Sequence, residues 1–233
     1  MITPPLQPAT LLRRYKRFLA DVCFPDGTEA TAHVANPGAM LGLQEPGASV
    51  WVSKAKPGGK LPWRLHLVEA DGVLVGVDTS WPNRLAEEAI LERRIPQLAD
   101  FTRLQREVRY GEASRIDLLL HREGGPPLYV EVKNVHLRRS PGLAEFPDCK
   151  AARSARHMRE LANMVQAGAR AAVLFVVQRE DCPAFAPAAD IDPTFAAALR
   201  EAAACGVEVL AYACRMGRAH VAIERPVSVR LAP

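Results

Sequence analysis

Residues 171–178 read AAVLFVVQ, seven apolar side chains in succession before Gln178. A run without alternation fits a strand covered on both faces, as in the centre of an α/β sheet. It is far short of the roughly 20 apolar residues that span a bilayer. A chain with such a strand needs elements packed on both sides of one sheet, and the flanking stretches supply them. The spacing predicts helices over 84–94 (RLAEEAILERR), 147–168 and 193–205. In the first, Leu85, Ala89 and Ile90 share a side and Asn83 is a candidate cap. In the second, Ala155, Met158, Leu161, Ala162 and Val165 face inward, and Gly206 closes the third. Strands are expected over 104–110, 115–121, 128–132 and 207–212. The order from residue 84 is α-β-β-β-α-β-α-β, a mixed sheet with helices against it.

Upstream of Trp81-Pro82 the pattern is different. Short strands are expected over 14–24, 28–35, 48–53, 63–69 and 73–78, with turns at Asp26-Gly27 and Asp71-Gly72. Five short strands without a long helix fit a small closed barrel of the OB type. The expected division is a barrel over 1–82 and an α/β (α+β) unit over 83–233. With 48% hydrophobic and 24% charged residues, the chain is neither disordered nor fibrous. The start, MITPPLQPATLLRRYKR, has no apolar stretch of the secretory kind, so a cytoplasmic protein without a membrane span is expected. The five cysteines are scattered and form no CxxC, which argues for free thiols.

The sharpest chemistry lies in Arg115-Ile-Asp117 and Glu131-Val-Lys133. Alternation along a strand points Glu131 and Lys133 the same way, and Asp117 sits on the preceding strand. Two carboxylates can then meet as hard oxygen ligands for Mg²⁺ or Mn²⁺, with a lysine beside them. That set suits metal-assisted phosphodiester hydrolysis, in which the lysine orients or deprotonates the attacking water. Glu88, on the preceding helix, is a candidate third carboxylate. A solvated strand pair explains Glu131 and Lys133 equally simply, and Glu87, Glu88 and Glu92 also make an ordinary wet helix face. A second acid-x-lysine triplet, Asp148-Cys-Lys150, reads as a helix opening with Asp148 as its cap.

Basic residues outnumber acidic ones 30 to 26, and only six of the 30 are lysine. Arginine's planar fork suits phosphates and stacked bases. Arg13, Arg14, Lys16 and Arg17 surround Tyr15 next to Phe18, and Trp51, Lys54, Lys56, Lys60, Trp63 and Arg64 repeat the theme. Such a mixture attracts phosphates and stacks on bases without reading sequence. A strand with one wet face reads the same way. Lys150, Arg153 and His157 follow one face of the long predicted helix, with Arg138 and Arg139 before it, and could track phosphates. The plain reading is the polar face of an amphipathic helix.

Seven stretches together resemble the sugar fermentation stimulation protein A family. They are LLRRYKRFLADV, HVANPGAM with LGL, NRLAEEAI, EVRYGEASRIDLLL, LYVEVKNVHL, FPDCKAARSARHMREL and AVLFVVQR, in order from residue 11 to 179. The resemblance implies an N-terminal OB-like domain and a second domain like the PD-(D/E)xK nucleases. It implies non-specific DNA binding and a regulatory link to maltose metabolism. Its nuclease-like signature falls on Asp117, Glu131 and Lys133, with Glu88 as the helix carboxylate and Asp117 and Glu131 as metal ligands. The nucleic-acid-contacting residues expected here are Arg13, Arg14, Lys16, Arg17, Asn36, Arg115, Arg153 and His157. Two activities remain open, a Mg²⁺- or Mn²⁺-dependent nuclease and a DNA-binding regulator without chemistry. A third, a nucleotide- or sugar-phosphate-binding enzyme using the same metal, has no Gly-rich phosphate loop to support it.

Overall fold

The computed structural model describes residues 1–55, 58, 60–111 and 114–231. Lys56 of the second basic stretch lies outside them. The first unit contains β1 (Gln7–Tyr15), β2 (Leu19–Cys23), β3 (Glu29–Val34), β4 (Ser49–Lys54), β5 (Trp63–Ala70) and β6 (Val73–Gly76). Its strand order is β3-β2-β1-β4-β5-β6, and a parallel β3–β5 pairing closes the first five strands into a barrel. Alternate residues such as Leu11, Val22, Val34, Val52 and Leu65 fill its interior. The single strand expected over 14–24 is two. The chain reverses at Lys16 and Arg17, both left-handed with φ of 49° and 62°. Arg14 Nη2 donates to Arg17 O across that turn at 2.8 Å.

The second unit begins with α1 (Trp81–Leu91). It starts before Asn83, with Ser80 as the cap and Pro82 in the first turn, where a missing N–H is harmless. Then come β7 (Arg103–Tyr110), β8 (Ser114–His121), β9 (Leu128–Val135), β10 (Leu137–Ser140) and β11 (Leu143–Phe146). They are followed by α2 (Ala152–Gln166), β12 (Arg170–Val177), β13 (Ala184–Pro187), α3 (Pro193–Ala204), β14 (Glu208–Arg215), β15 (Ala222–Pro226) and β16 (Ser228–Val229). The main sheet has the order β15-β14-β12-β9-β8-β7, and β10, β11, β13 and β16 form a smaller one. The run that opened the sequence analysis is β12, parallel to both neighbours. Leu174 and Val176 point into the α1 core, while Val173, Phe175 and Val177 point into the core under α2 and α3.

The helix expected from 147 starts at Ala152 instead, because 147–151 is a link tied down by Asp148 to Met40 and His136 and by Ala151 N to Asp192 Oδ2 at 2.7 Å. Asp148 is therefore no cap. Its Oδ2 accepts from Met40 N at 2.7 Å in the barrel unit and meets His136 Nε2 at 3.1 Å in the sheet unit. Burial works against the Asp148 charge, but the His136 and Met40 bonds outweigh it and hold the carboxyl at about 2. Arg179, 1% exposed, makes a second tie between the units. It donates to Asp71 at 2.9 Å, to both oxygens of Asp181, and to His136 O at 3.2 Å. A third tie is backbone, Gly76 N to Gln178 O at 2.9 Å.

At the backbone tie the two units leave no room for a side chain on Gly76. A Cβ on Gly76 would stand 2.5 Å from Gln178 Oε1 and 3.0 Å from its Cβ. Gly76→Ala is expected to cost about 1–3 kcal/mol through overpacking, measured by denaturant unfolding followed by tryptophan fluorescence. An unchanged midpoint would mean that Gln178 yields freely.

Candidate functional site

β8 and β9 pair antiparallel from Leu120↔Leu128 to Leu118↔Val130. Continuing that register would set Asp117 opposite Glu131, but the ladder stops one step short. Where the strands part, a side chain replaces the lost backbone partner: Val132 N donates to Asp117 Oδ2 at 2.8 Å. Asn83 Nδ2 donates to the other oxygen at 2.7 Å. Asn83 therefore works inside α1 as a positioning group rather than as its cap. Glu131, 3% exposed, lies on the α2 side of the sheet. Its Oε1 accepts from Lys133 Nζ at 2.6 Å and from His157 Nδ1 of α2. Its Oε2 is buried without a hydrogen-bond partner among the described residues.

The electrostatics divide the two acids. Burial, and then the neighbouring Glu131 charge, push the Asp117 carboxyl up to about 6. Burial also works to raise Glu131, but His157 and Lys133 overcome it and hold Glu131 below the usual carboxylate range. Tyr110 is pushed up first by burial and then by the charges of Glu131, Glu160 and Asp117. Its hydroxyl, Ser114 Oγ and Glu160 Oε2 are likewise buried without a partner among the described residues. Among the described residues no three His, Cys, Asp or Glu side chains gather at ligating distance. A cation at this corner would rest on two carboxylates and complete its shell with water and substrate oxygens, the habit of Mg²⁺.

Other expected residues lie apart from this corner. Glu88 points to the Met1 amine at 2.6 Å and to Arg94 at 3.0 Å, because it is on a different face of α1 from Asn83. Glu87, one turn after Asn83, pairs with Arg106 at 3.3 Å. His157 is buried on Glu131 and so is absent from any phosphate-tracking surface. Asn36 is buried, bridging Val77 O and Gly38 N. Arg14 spends its guanidinium on the carbonyls of Arg17, Asn36, Gly38 and Ala39. Arg138 is paired with Asp71 and Asp181, and Arg139 with Glu145 and Asp190. Arg13 is exposed although it meets Asp21 at 2.7 Å, and Lys16 and Arg17 are exposed on the turn.

Arg115 is exposed and stands opposite Arg109 in the β7–β8 register. Arg103, Arg106 and Arg109 are exposed on β7, the edge strand of the sheet. Arg153, Arg156 and Arg159 are exposed on α2. The sequence reading missed Asn83, Tyr110, Glu160 and the β7 arginines. Glu107 takes φ of 52° and has no partner opposite Asp117 in the β7–β8 register, which otherwise runs unshifted from Arg103↔His121 to Tyr110↔Ser114.

The description "Sugar fermentation stimulation protein RE domain" fits residues 80–220, and "SfsA N-terminal OB domain" fits residues 12–77. The chain belongs to the sugar fermentation stimulation protein family. Within the family it is 57% identical over 222 residues to the sugar fermentation stimulation protein homolog of Rhodospirillum centenum, covering 95% of each chain. It is 54% identical over 223 residues to that of Maricaulis maris, again covering 95% of each. A solved structure of Pyrococcus furiosus SfsA in complex with Ca²⁺ matches with a TM-score of 0.90 and 30% identity. The match covers 99% of this chain and 98% of that one. The OB barrel and mixed sheet expected from the sequence are thus the family's own architecture.

The raised Asp117 carboxyl has a signed consequence. A folded value above the ordinary 3.8 favours the neutral acid in the fold. That contribution is full below the unfolded value and is lost as pH rises through about 6. A carbon-13 titration of Asp117 should show a midpoint near 6, and Glu131→Gln should lower it by removing a neighbouring charge. An unmoved midpoint in that variant would leave burial as the sole cause.

Proposed function

We propose that the chain is a DNA-binding, Mg²⁺- or Mn²⁺-dependent nuclease built from a 1–82 barrel unit and an 83–233 nuclease-like unit. The observation that carries this reading is the buried corner where Asp117 and Glu131 meet, with a Glu131 oxygen that has no partner among the described residues and Lys133 on the other oxygen. The residues fit a cation: both ligands are hard oxygens, and their mutual repulsion is relieved by a positive guest. The relative bound to Ca²⁺ is in line with this. When bound, the cation supplies polarisation of a phosphodiester oxygen and neutralisation of developing charge. The protein's own groups do the rest. Asn83 and Val132 N fix the Asp117 carboxylate. His157 fixes Glu131. Lys133 can turn from Glu131 towards an incoming phosphate or the attacking water. The exposed arginines of β7, β8 and α2 offer phosphate contacts on either side of the corner.

A second reading is a DNA binder without chemistry, acting in sugar metabolism as the family's name suggests. It is favoured by the double neutralisation of Glu131 Oε1 by Lys133 and His157. The two readings part on metal. Purified protein should nick plasmid DNA with Mn²⁺ or Mg²⁺ and lose cutting with a chelator. Lys133→Ala and Asp117→Asn should each lower the cutting rate by about 100-fold or more, a few kcal/mol of barrier, while leaving DNA retention on a gel nearly unchanged. Cutting at the parental rate by Lys133→Ala would remove the assigned role. Retention without cutting under every metal would leave the binder.

A further inference from the structure

Between the barrel and the first turn of α1 lies a cavity of about 1090 Å³. It is separate from the acidic corner, for neither Asp117, Glu131 nor Lys133 lines it. Its volume is of the size that holds a small organic ligand. The basic side chains His33, Lys54, Lys60, Arg64 and Arg84 line it, against the carboxylate of Asp78. Asp78 does not cancel them. It is 1% exposed, and its oxygens take both arms of the Arg64 fork at 2.6 Å, with Ser80 N at 2.9 Å and Ser80 Oγ at 2.7 Å. Arg64 and Asp78 thus balance each other. Lys54, Lys60 and Arg84 remain without an acidic partner among the described residues.

The floor is rigid. His66, 4% exposed, meets Asp78 Oδ2 at 2.9 Å and Ser53 Oγ at 2.8 Å, and its ring stacks on Trp81 at 5.1 Å. The series Ser53, His66, Asp78 has the order of a hydrolytic triad. Two features make it a support instead: Ser53 is 5% exposed, and Asp78 is shared with Arg64 and Ser80. Trp81, held by that stack, begins α1, whose first turn carries no acidic residue and turns its positive end to this space. Pro4 and Leu61 add apolar wall. A partly apolar cavity with a hydrogen-bonded floor and three cations unpaired among the described residues suits a flat apolar body carrying a phosphate.

We infer that this cavity binds a nucleotide-sized phosphomonoester, with the phosphate on Lys54, Lys60 and Arg84 and the apolar body against Pro4 and Leu61. Two sources present that chemistry, a free nucleotide and the 5′-phosphorylated end of a strand. The site does not depend on the acidic corner.

The test is calorimetric titration of the full chain with adenosine 5′-monophosphate, adenosine and inorganic phosphate. The monophosphate should saturate one site per chain, with adenosine at least about tenfold weaker. The double variant Lys60→Ala/Arg84→Ala should weaken the monophosphate about tenfold or more, as should the single reversal Lys54→Glu. These side chains are exposed, so unchanged thermal melting should certify the fold. Asp117→Asn should bind as the parent does, which separates this site from the nuclease reading. Competition by a 5′-phosphorylated tetranucleotide but not its 5′-hydroxyl form identifies a strand end, and competition by neither identifies a free nucleotide. The inference is overturned by absent monophosphate saturation at millimolar concentration, by equal affinity for adenosine, by indifference to the basic variants, or by equal competition from both tetranucleotides.

Discussion

Two like charges brought into a buried corner are the constraint around which the second unit is arranged. Asp117 and Glu131 come together because β8 and β9 stop pairing one step before them. The released Val132 N–H is satisfied by a carboxylate, so opening the ladder leaves no orphan donor there. The repulsion that remains is distributed unequally. Glu131 receives His157 and Lys133 on one oxygen, and Asp117 carries the raised affinity for a proton. One acid that stays ionised beside one that readily accepts positive charge is an arrangement of specific chemical use.

The strand that cannot face water explains why helices supply parts of this corner from both sides. β12 is buried at every residue after Arg170, so α1 covers one face of the sheet and α2 and α3 cover the other. Asn83 reaches the corner from α1, and His157 reaches it from α2. The geometry of the acids therefore rests on packing on both faces at once.

Much of this was legible in the residues. Alternation and turn signals gave β3 to β6 of the barrel, and the apolar run gave β12, because both follow from local periodicity. The turn at Lys16 and Arg17 that separates β1 from β2 carries no glycine or proline to mark it. The Asp117, Glu131 and Lys133 set was legible because period-2 alternation dictates which side chains share a face. What was not legible depended on contacts distant in sequence. Asp148 looks like a helix cap from its neighbours, yet it serves Met40 and His136, one of them 108 residues away. Glu88 and Asn83 are both polar α1 residues, and only the seating of the helix decides which meets Asp117. His157 has the helical spacing of a surface residue beside Arg153, but a buried acid draws it inward. The short strands β10, β11, β13 and β16 form a small sheet of their own and carry little periodic signal.

Gly38 lies directly beneath the Asp148 carboxylate, where even a methyl group would come within 2.5 Å of both oxygens. The barrel thus presents a socket and the sheet unit a plug, and each shape is meaningless without its counterpart. A barrel transplanted from a distant cousin would seat only if its own 36–40 loop came with the acid it was moulded around.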